Sequence, residues 1–220
     1  MPYSINFYND QILSDGKTTK SLPAINRIFY VRHGEVMING KKYGEDTAVY
    51  TSEPVSLEGS AEWSQLFRWE IALPNEIPNL LEGMNLLSNP KMSRVIMMME
   101  MPSNSQWLFR LDRITVPTGR VSDRHQHPGP GIRVLLEGTF NVQQDCESCR
   151  MVIPGEPWWE SGEDTVIAWA STTMHARFLR GMILPVDYQG RPDTAIWLSG
   201  DTKKSRGKWH YYVDEIITVR

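Results

Sequence analysis

Two histidines one residue apart, His125 and His127 in DRHQHPGPGIRVLLEG (Asp123 to Gly138), are the most chemically specific feature of the chain. On a strand, side chains two apart point to the same face, so both imidazoles can offer a nitrogen to one ion. Stable transition-metal sites usually take three or more protein ligands, so another donor must come from elsewhere. Glu160, beside Trp158 and Trp159 in PGEPWWESG, is the first candidate. A carboxylate near aromatic rings is costly to bury unless it is paired, protonated or bound to metal. With His125 and His127 it makes a two-His-one-carboxylate set with positions left open for substrate or dioxygen. The competing reading is a hydrogen-bonding glutamate at a rim. His175, in STTMHARFL, is the second candidate. A regular hairpin keeps it at the far end of a strand about 20 Å long, so it joins the others only through a shifted register. Arg133 shares the strand parity of Gly131, and a guanidinium facing inward there would clamp a carboxylate or enolate oxygen and act in catalysis beside Glu160. Its alternative is a surface arginine paired with a cross-strand acid. Trp158 and Trp159 suit an aromatic wall, and Trp169 suits a core.

The elements that carry these residues read as strands. Segments rich in Val, Ile, Phe, Tyr and Trp, broken by Gly, Pro, Asn or Asp, recur along the chain: RIFYV, EVMIN, TAVYT, LFRWEIAL, LFRLDRITV, IRVLLEG, TFNVQ, TVIAWA, ARFLRGMILP and YYVDEIITV. This punctuation predicts an all-β sandwich or barrel. The best helical stretch is Glu76 to Met84, short and containing Pro78. The pattern also repeats. YVRHGEVMING (Tyr30 to Gly40) parallels RVLLEGTFNVQ, each is followed by a Gly-Glu turn and a strand, and the copies close on LFRWEIALP and ARFLRGMILP. The expected organisation is an N-terminal barrel over 1–82, a linker over 83–106, a second barrel over 107–190 and a tail strand over 191–220.

With these residues in view, the chain resembles the cupin superfamily, specifically a bicupin of two jelly-roll barrels. The resemblance covers roughly Arg27 to Leu73 and Leu108 to Pro185. His125-Gln126-His127-Pro128-Gly129-Pro130 with Glu137-Gly138 matches the first cupin motif, and Gly155-Glu156-Pro157-Trp158-Trp159-Glu160 with Gly162 the start of the second. The family binds one metal through three His and one Glu in the barrel mouth. Here the family's Glu falls at Gly131 and its last His at about Val166. In the first repeat Ser21 and Pro23 stand where the His pair would be, so that barrel is expected to be structural. The resemblance implies one divalent transition metal, iron first, with Mn, Ni or Zn as alternatives. It also implies a homodimer and a reaction class led by dioxygenases that act on a small oxygenated or carboxylated compound. Loss of two family ligands favours a second class, a non-catalytic bicupin that binds a small ligand; metal-dependent isomerases and lyases share the fold.

Composition narrows the rest. With 23 Lys and Arg against 26 Asp and Glu in 220 residues, and no basic run, nothing engages a phosphate backbone. No segment reaches the ~18 apolar residues of a membrane span and no secretory leader is read at the start, so the expected location is the cytoplasm. The two cysteines, Cys146 and Cys149, form half of a zinc-knuckle spacing with no second half and are expected to be turn residues. His33 and His210 are read as structural or solvent-facing. The run VIMMMEMP, holding Met97 to Met101, is read as adaptable packing.

Overall fold

In the computed structural model, which describes residues 2–74, 76–96, 105–145, 148–198 and 207–218, nearly every element is a strand. The chain divides into two units, Met1–Met101 and Pro102–Arg220. The expectation of an all-β protein built as two barrels of cupin type holds. No described helix is long and apolar enough to cross a membrane.

The first unit contains β1 (Tyr3–Thr18), β2 (Arg27–His33), β3 (Glu35–Ile38), β4 (Lys41–Gly44), β5 (Thr47–Thr51), β6 (Leu57–Gly59), β7 (Trp63–Ala72) and β8 (Gly83–Ile96). They form one antiparallel sheet in the order β4-β3-β6-β1-β7-β2-β5, with β8 paired to β1. Ile12, Phe29, Val31, Val36, Val55 and Leu66 fill its core. Two expectations are corrected here. The stretch from Glu76 to Glu82 forms no helix, because Pro78 lacks the amide that a helix interior requires. The segment expected as a linker contains β8, fourteen residues long and aligned along most of β1.

The second unit contains β9 (Gln106–Val116), β10 (His125–Gln126), β11 (Gly131–Glu137), β12 (Phe140–Gln144), β13 (Arg150–Val152), β14 (Pro157–Glu160), β15 (Val166–Ala170), β16 (Ala176–Leu184), β17 (Ile196–Trp197) and β18 (Lys208–Thr218). Two five-stranded sheets face one core, ordered β13-β12-β15-β10-β17 and β14-β11-β16-β9-β18. The two-residue alternation of a half-buried strand is plain in β15, where Val166, Ala168 and Ala170 are buried and Ile167 and Trp169 less so. Phe140, Val142, Trp158 and Phe178 pack with them. The tail expected over 191–220 is part of this unit, since β17 pairs with β10 and β18 with β9 along its length.

The units share an architecture that the shorter sequence repeat only partly reveals. Each begins with a long strand carrying Phe-x-x-Asp: Phe7 to Asp10 in β1 and Phe109 to Asp112 in β9. In each, that aspartate is buried and takes a forked ion pair from an arginine on the neighbouring strand, Arg68 to Asp10 and Arg180 to Asp112. In the first unit the inner face is closed by these charges. Arg68 bridges Asp10 and Glu70, Arg27 also binds Glu70, and Ser88 and Asn79 donate to the two acids. The Arg68 guanidinium also lies 3.9 Å over the Tyr8 ring.

Candidate functional site

In the second unit the same face stays open. Register along β14-β11-β16-β9-β18 sets three successive inward rows: Glu160, Gly131, Met182, Arg110 and Asp214; then Trp158, Arg133, Arg180, Asp112 and Tyr211; then Leu135, Phe178, Ile114 and Trp209. Across from them, His125 stands directly opposite Val166. Between the sheets lies a cavity of about 100 Å³. Its polar end holds His125, His127, Arg133, Glu160 and Arg180, and its remaining wall is largely apolar, including Ile114, Phe140, Val166, Ala168, Phe178 and Trp209.

The structure brings together four of the five residues picked from the sequence. The rings of His125 and His127 meet edge to face with centroids 5.0 Å apart. Nε2 of His127 is 3.0 Å from Oε2 of Glu160, and the NH2 group of Arg133 is 2.9 Å from the same oxygen. Oε1 of Glu160 accepts from the indole of Trp158 at 2.8 Å. Arg133 is not on the surface: it is completely buried, with its NH1 group donating to the Gly131 and Glu160 carbonyls. Trp158 is buried in the core cluster and, like Trp159, is not among the residues that line the cavity; Trp169, expected in a core, is only partly buried.

His175 does not join them. It lies exposed in the turn before β16, where its Nε2 contacts Oε2 of Glu137 at 3.1 Å, and Arg177 holds the other oxygen of that glutamate. The hairpin register is regular enough to leave it at the end of the strand away from the cavity. Cys149 is an exposed free thiol; Cys146 and the run Met97 to Met101 lie outside the described residues.

Sequence reasoning missed the segment that follows β16. A 3-10 turn, Val186–Tyr188, leads into it, and Arg110 ties it down by donating to the carbonyls of Tyr188 and Arg191. Farther along, the Thr194 carbonyl lies 3.3 Å from Nδ1 of His127, and the Trp197 ring packs 5.0 Å from that of His125. The Asp123 carbonyl plays the matching part for Nδ1 of His125 at 2.8 Å. Nothing in the local pattern around Trp197 marks it, but Arg180 could have been found: it shares strand parity with Phe178 and Met182.

A carbonyl can only accept, so a proton on Nδ1 suits both rings and leaves Nε2 a lone pair, as in metal-binding histidines. Nε2 of His127 also faces the acceptor Oε2 of Glu160, so in the other tautomer it donates to that carboxylate. Burial lowers the pKa of both, His127 to about 4, which keeps them neutral. Burial alone would raise the Glu160 pKa, but Arg133 and His127 beside it hold the carboxyl well below the usual range. Burial pushes the Arg133 guanidinium down to about 10, still charged at neutral pH. Oε2 of Glu160 therefore carries negative charge and is buried, with the Arg133 NH2 group at 2.9 Å and the His127 ring at 3.0 Å as ion-pair contacts that lack good hydrogen-bond alignment.

Whether these groups suit a metal can be tested on that oxygen. Two adjacent ligands of an octahedral ion at about 2.1 Å stand about 3 Å apart, the same as the 3.0 Å between Nε2 of His127 and Oε2 of Glu160. That spacing suits two ligands of one ion, but His125 does not complete a three-ligand set with them. As placed, no three His, Cys, Asp or Glu side chains among the described residues converge on one point, so the remaining positions would fall to substrate and water.

Structural comparison bears on the fold. The chain is similar to AerE from Microcystis aeruginosa (14% identity over 82% of this chain and 88% of that one, TM-score 0.58). It is also similar to the oxalate decarboxylase of Lactobacillus farciminis solved as a formate complex (9% identity, 88% and 79%, TM-score 0.58). A cupin 2 conserved barrel domain protein from Leptotrichia buccalis matches at 18% identity over 82% and 84%, with a TM-score of 0.46. The chain has a bicupin fold. Of the two positions at which the cupin resemblance would put further ligands, Val166 lines the cavity opposite His125 and Gly131 stands across the ladder from Glu160. No family model and no curated protein sequence matches the chain.

Proposed function

We propose that this bicupin is a cytoplasmic, metal-dependent enzyme, a dioxygenase-type oxidoreductase acting on a small oxygenated or carboxylated organic compound in the second barrel. The observation that carries this reading is the buried, charged Oε2 of Glu160, which stands 3.0 Å from an imidazole nitrogen without an aligned hydrogen bond. His125, His127 and Glu160 would hold one divalent transition metal, iron first, with Mn, Ni or Zn in its place. A bound iron supplies Lewis acidity and dioxygen activation. The chain's own residues do the rest. Arg133 orients an oxygen anion, the carbonyls of Asp123 and Thr194 fix the two imidazoles, and Trp197 covers His125 against water. A homodimer belongs to this reading, because the outer edges of β8 and β18 have no strand partner among the described residues and edge strands invite pairing.

A second reading, a ligand-binding bicupin without metal, is favoured by the NH2 group of Arg133 at 2.9 Å from the same Oε2, where a guanidinium can take the place of an ion. Elemental analysis of protein purified without a His tag separates the two. About one iron, manganese, nickel or zinc per chain, lost in His127→Ala and in Glu160→Ala, supports the enzyme. Metal-free protein whose melting temperature ignores all four added ions rules it out.

A further inference from the structure

We propose that the ligand of this cavity is a monocarboxylate with an apolar body, its carboxylate seated on the Nε and NH2 edge of Arg133. This rests on the reading of the second barrel as a small-molecule site and names the class of molecule.

The argument starts from how Arg133 is held. Its NH1 group is anchored by the Gly131 carbonyl at 2.6 Å and reaches the Glu160 carbonyl at 3.2 Å. That leaves the opposite edge of the guanidinium: Nε has no partner among the described residues, and NH2, which stands 2.9 Å from Oε2 of Glu160, makes no aligned hydrogen bond, although the residue is completely buried and lines the cavity. Buried donors without partners are rare and costly. The pair forms the planar fork that two oxygens of one carboxylate match. Arg180 offers no such edge, since its Nε and NH2 groups are both taken by Asp112 at 2.8 and 2.7 Å. Arg110 is likewise saturated by Asp214 and by the carbonyls of Tyr188 and Arg191. Of these three buried arginines in the unit, only Arg133 has a fork to give.

The other end of the ligand follows from the wall. Away from the charged end the cavity is faced mainly by the hydrocarbon of Ile114, Phe140, Val166, Ala168 and Phe178, with Ser122, Arg120 and the unpartnered indole N–H of Trp209 among its other polar groups. A dicarboxylate as compact as oxalate would leave one charged end against hydrocarbon, which is unfavourable. An aryl or branched alkyl group buries its surface there.

Titration calorimetry on the zinc-loaded full chain tests this with phenylacetate, 3-methylbutanoate, oxalate and phenylacetamide. Phenylacetate and 3-methylbutanoate should bind at least about tenfold more tightly than oxalate, and phenylacetate about tenfold more tightly than its amide. Arg133→Lys should remove the preference for acid over amide. Because that buried change can disturb folding, Ala168→Leu is the second variant: it narrows the apolar wall and should lose phenylacetate while still taking up zinc. Oxalate binding as tightly as phenylacetate, amide equal to acid, or Ala168→Leu without effect on phenylacetate would each overturn the assignment. The two readings fail separately. Zinc uptake without carboxylate binding sinks this inference alone, and carboxylate binding sensitive to Arg133→Lys in protein that takes up no metal sinks the enzyme alone.

Discussion

Glu160 lies directly across the ladder from Gly131, the position at which the cupin pattern has its metal-binding glutamate. On the proposed function, the carboxylate would come from β14 instead of β11. A side chain at 131 is no longer accommodated, for a Cβ there would come within 2.5 Å of the Gly181 carbonyl oxygen and 2.8 Å of Met182 Cγ. Gly131→Ala should therefore destabilise the protein by on the order of 1–3 kcal/mol, the usual cost of overpacking, read as a lowered urea midpoint. A neutral effect would mean that β11 and β16 can move apart.

Val166 is the other vacated position, and it can be refilled. It stands opposite His125 and lines the cavity, so an imidazole there points at the same space as the His pair. Val166→His should raise zinc affinity by about tenfold or more, since it completes a set of three protein nitrogens beside Glu160. Calorimetric titration of zinc into the variant and the parent decides it; equal affinities would show that the two strands hold their side chains too far apart to share an ion.

How much of this was legible in the sequence differs by feature. The His pair, Glu160 and Arg133 were all readable, because strand parity is local and the Gly turns fix where each strand begins. The barrel repeat was readable for the same reason. β1 and β8 were not: β1 carries Asn6, Asn9, Asp10 and Gln11 among its apolar residues, and β8 is mostly exposed on a sheet edge, so neither shows a clean hydrophobic alternation. The charges that blur β1 are the ones that close the inner face of the first barrel. Trp197 and the Thr194 carbonyl were invisible because their roles depend on a chain reversal after Pro185, which periodicity does not encode.

The network in the first barrel sets an acid response. Burial would raise the Glu70 pKa, but Arg68 and Arg27 outweigh it and lower the pKa below its ordinary 4.5. Below that pH the unfolded chain takes up a proton that the native carboxylate refuses, so stability falls as pH drops from about 4.5 towards the native value. Glu70→Gln should be less stable at pH 7, with a shallower loss of stability between pH 4.5 and 3, measured as urea midpoints across that range. An unchanged slope would mean that other acids dominate the transition.

Asp112 and His175 form the sharpest contrast for separating interior chemistry from surface charge. Asp112 is completely buried and holds Arg180 through both carboxylate oxygens. Removing it strands a buried guanidinium at the cavity, with an expected cost of about 3–5 kcal/mol for Asp112→Ala. Because Arg180 would then have a free fork, carboxylates should bind that variant with less dependence on Arg133. His175, by contrast, meets Glu137 across an exposed pair whose side chains are 49% and 46% accessible. His175→Ala should shift stability by no more than about 0.5 kcal/mol and leave metal content unchanged. Thermal melts and elemental analysis of both variants give the comparison, and metal lost on His175→Ala would return that histidine to the site.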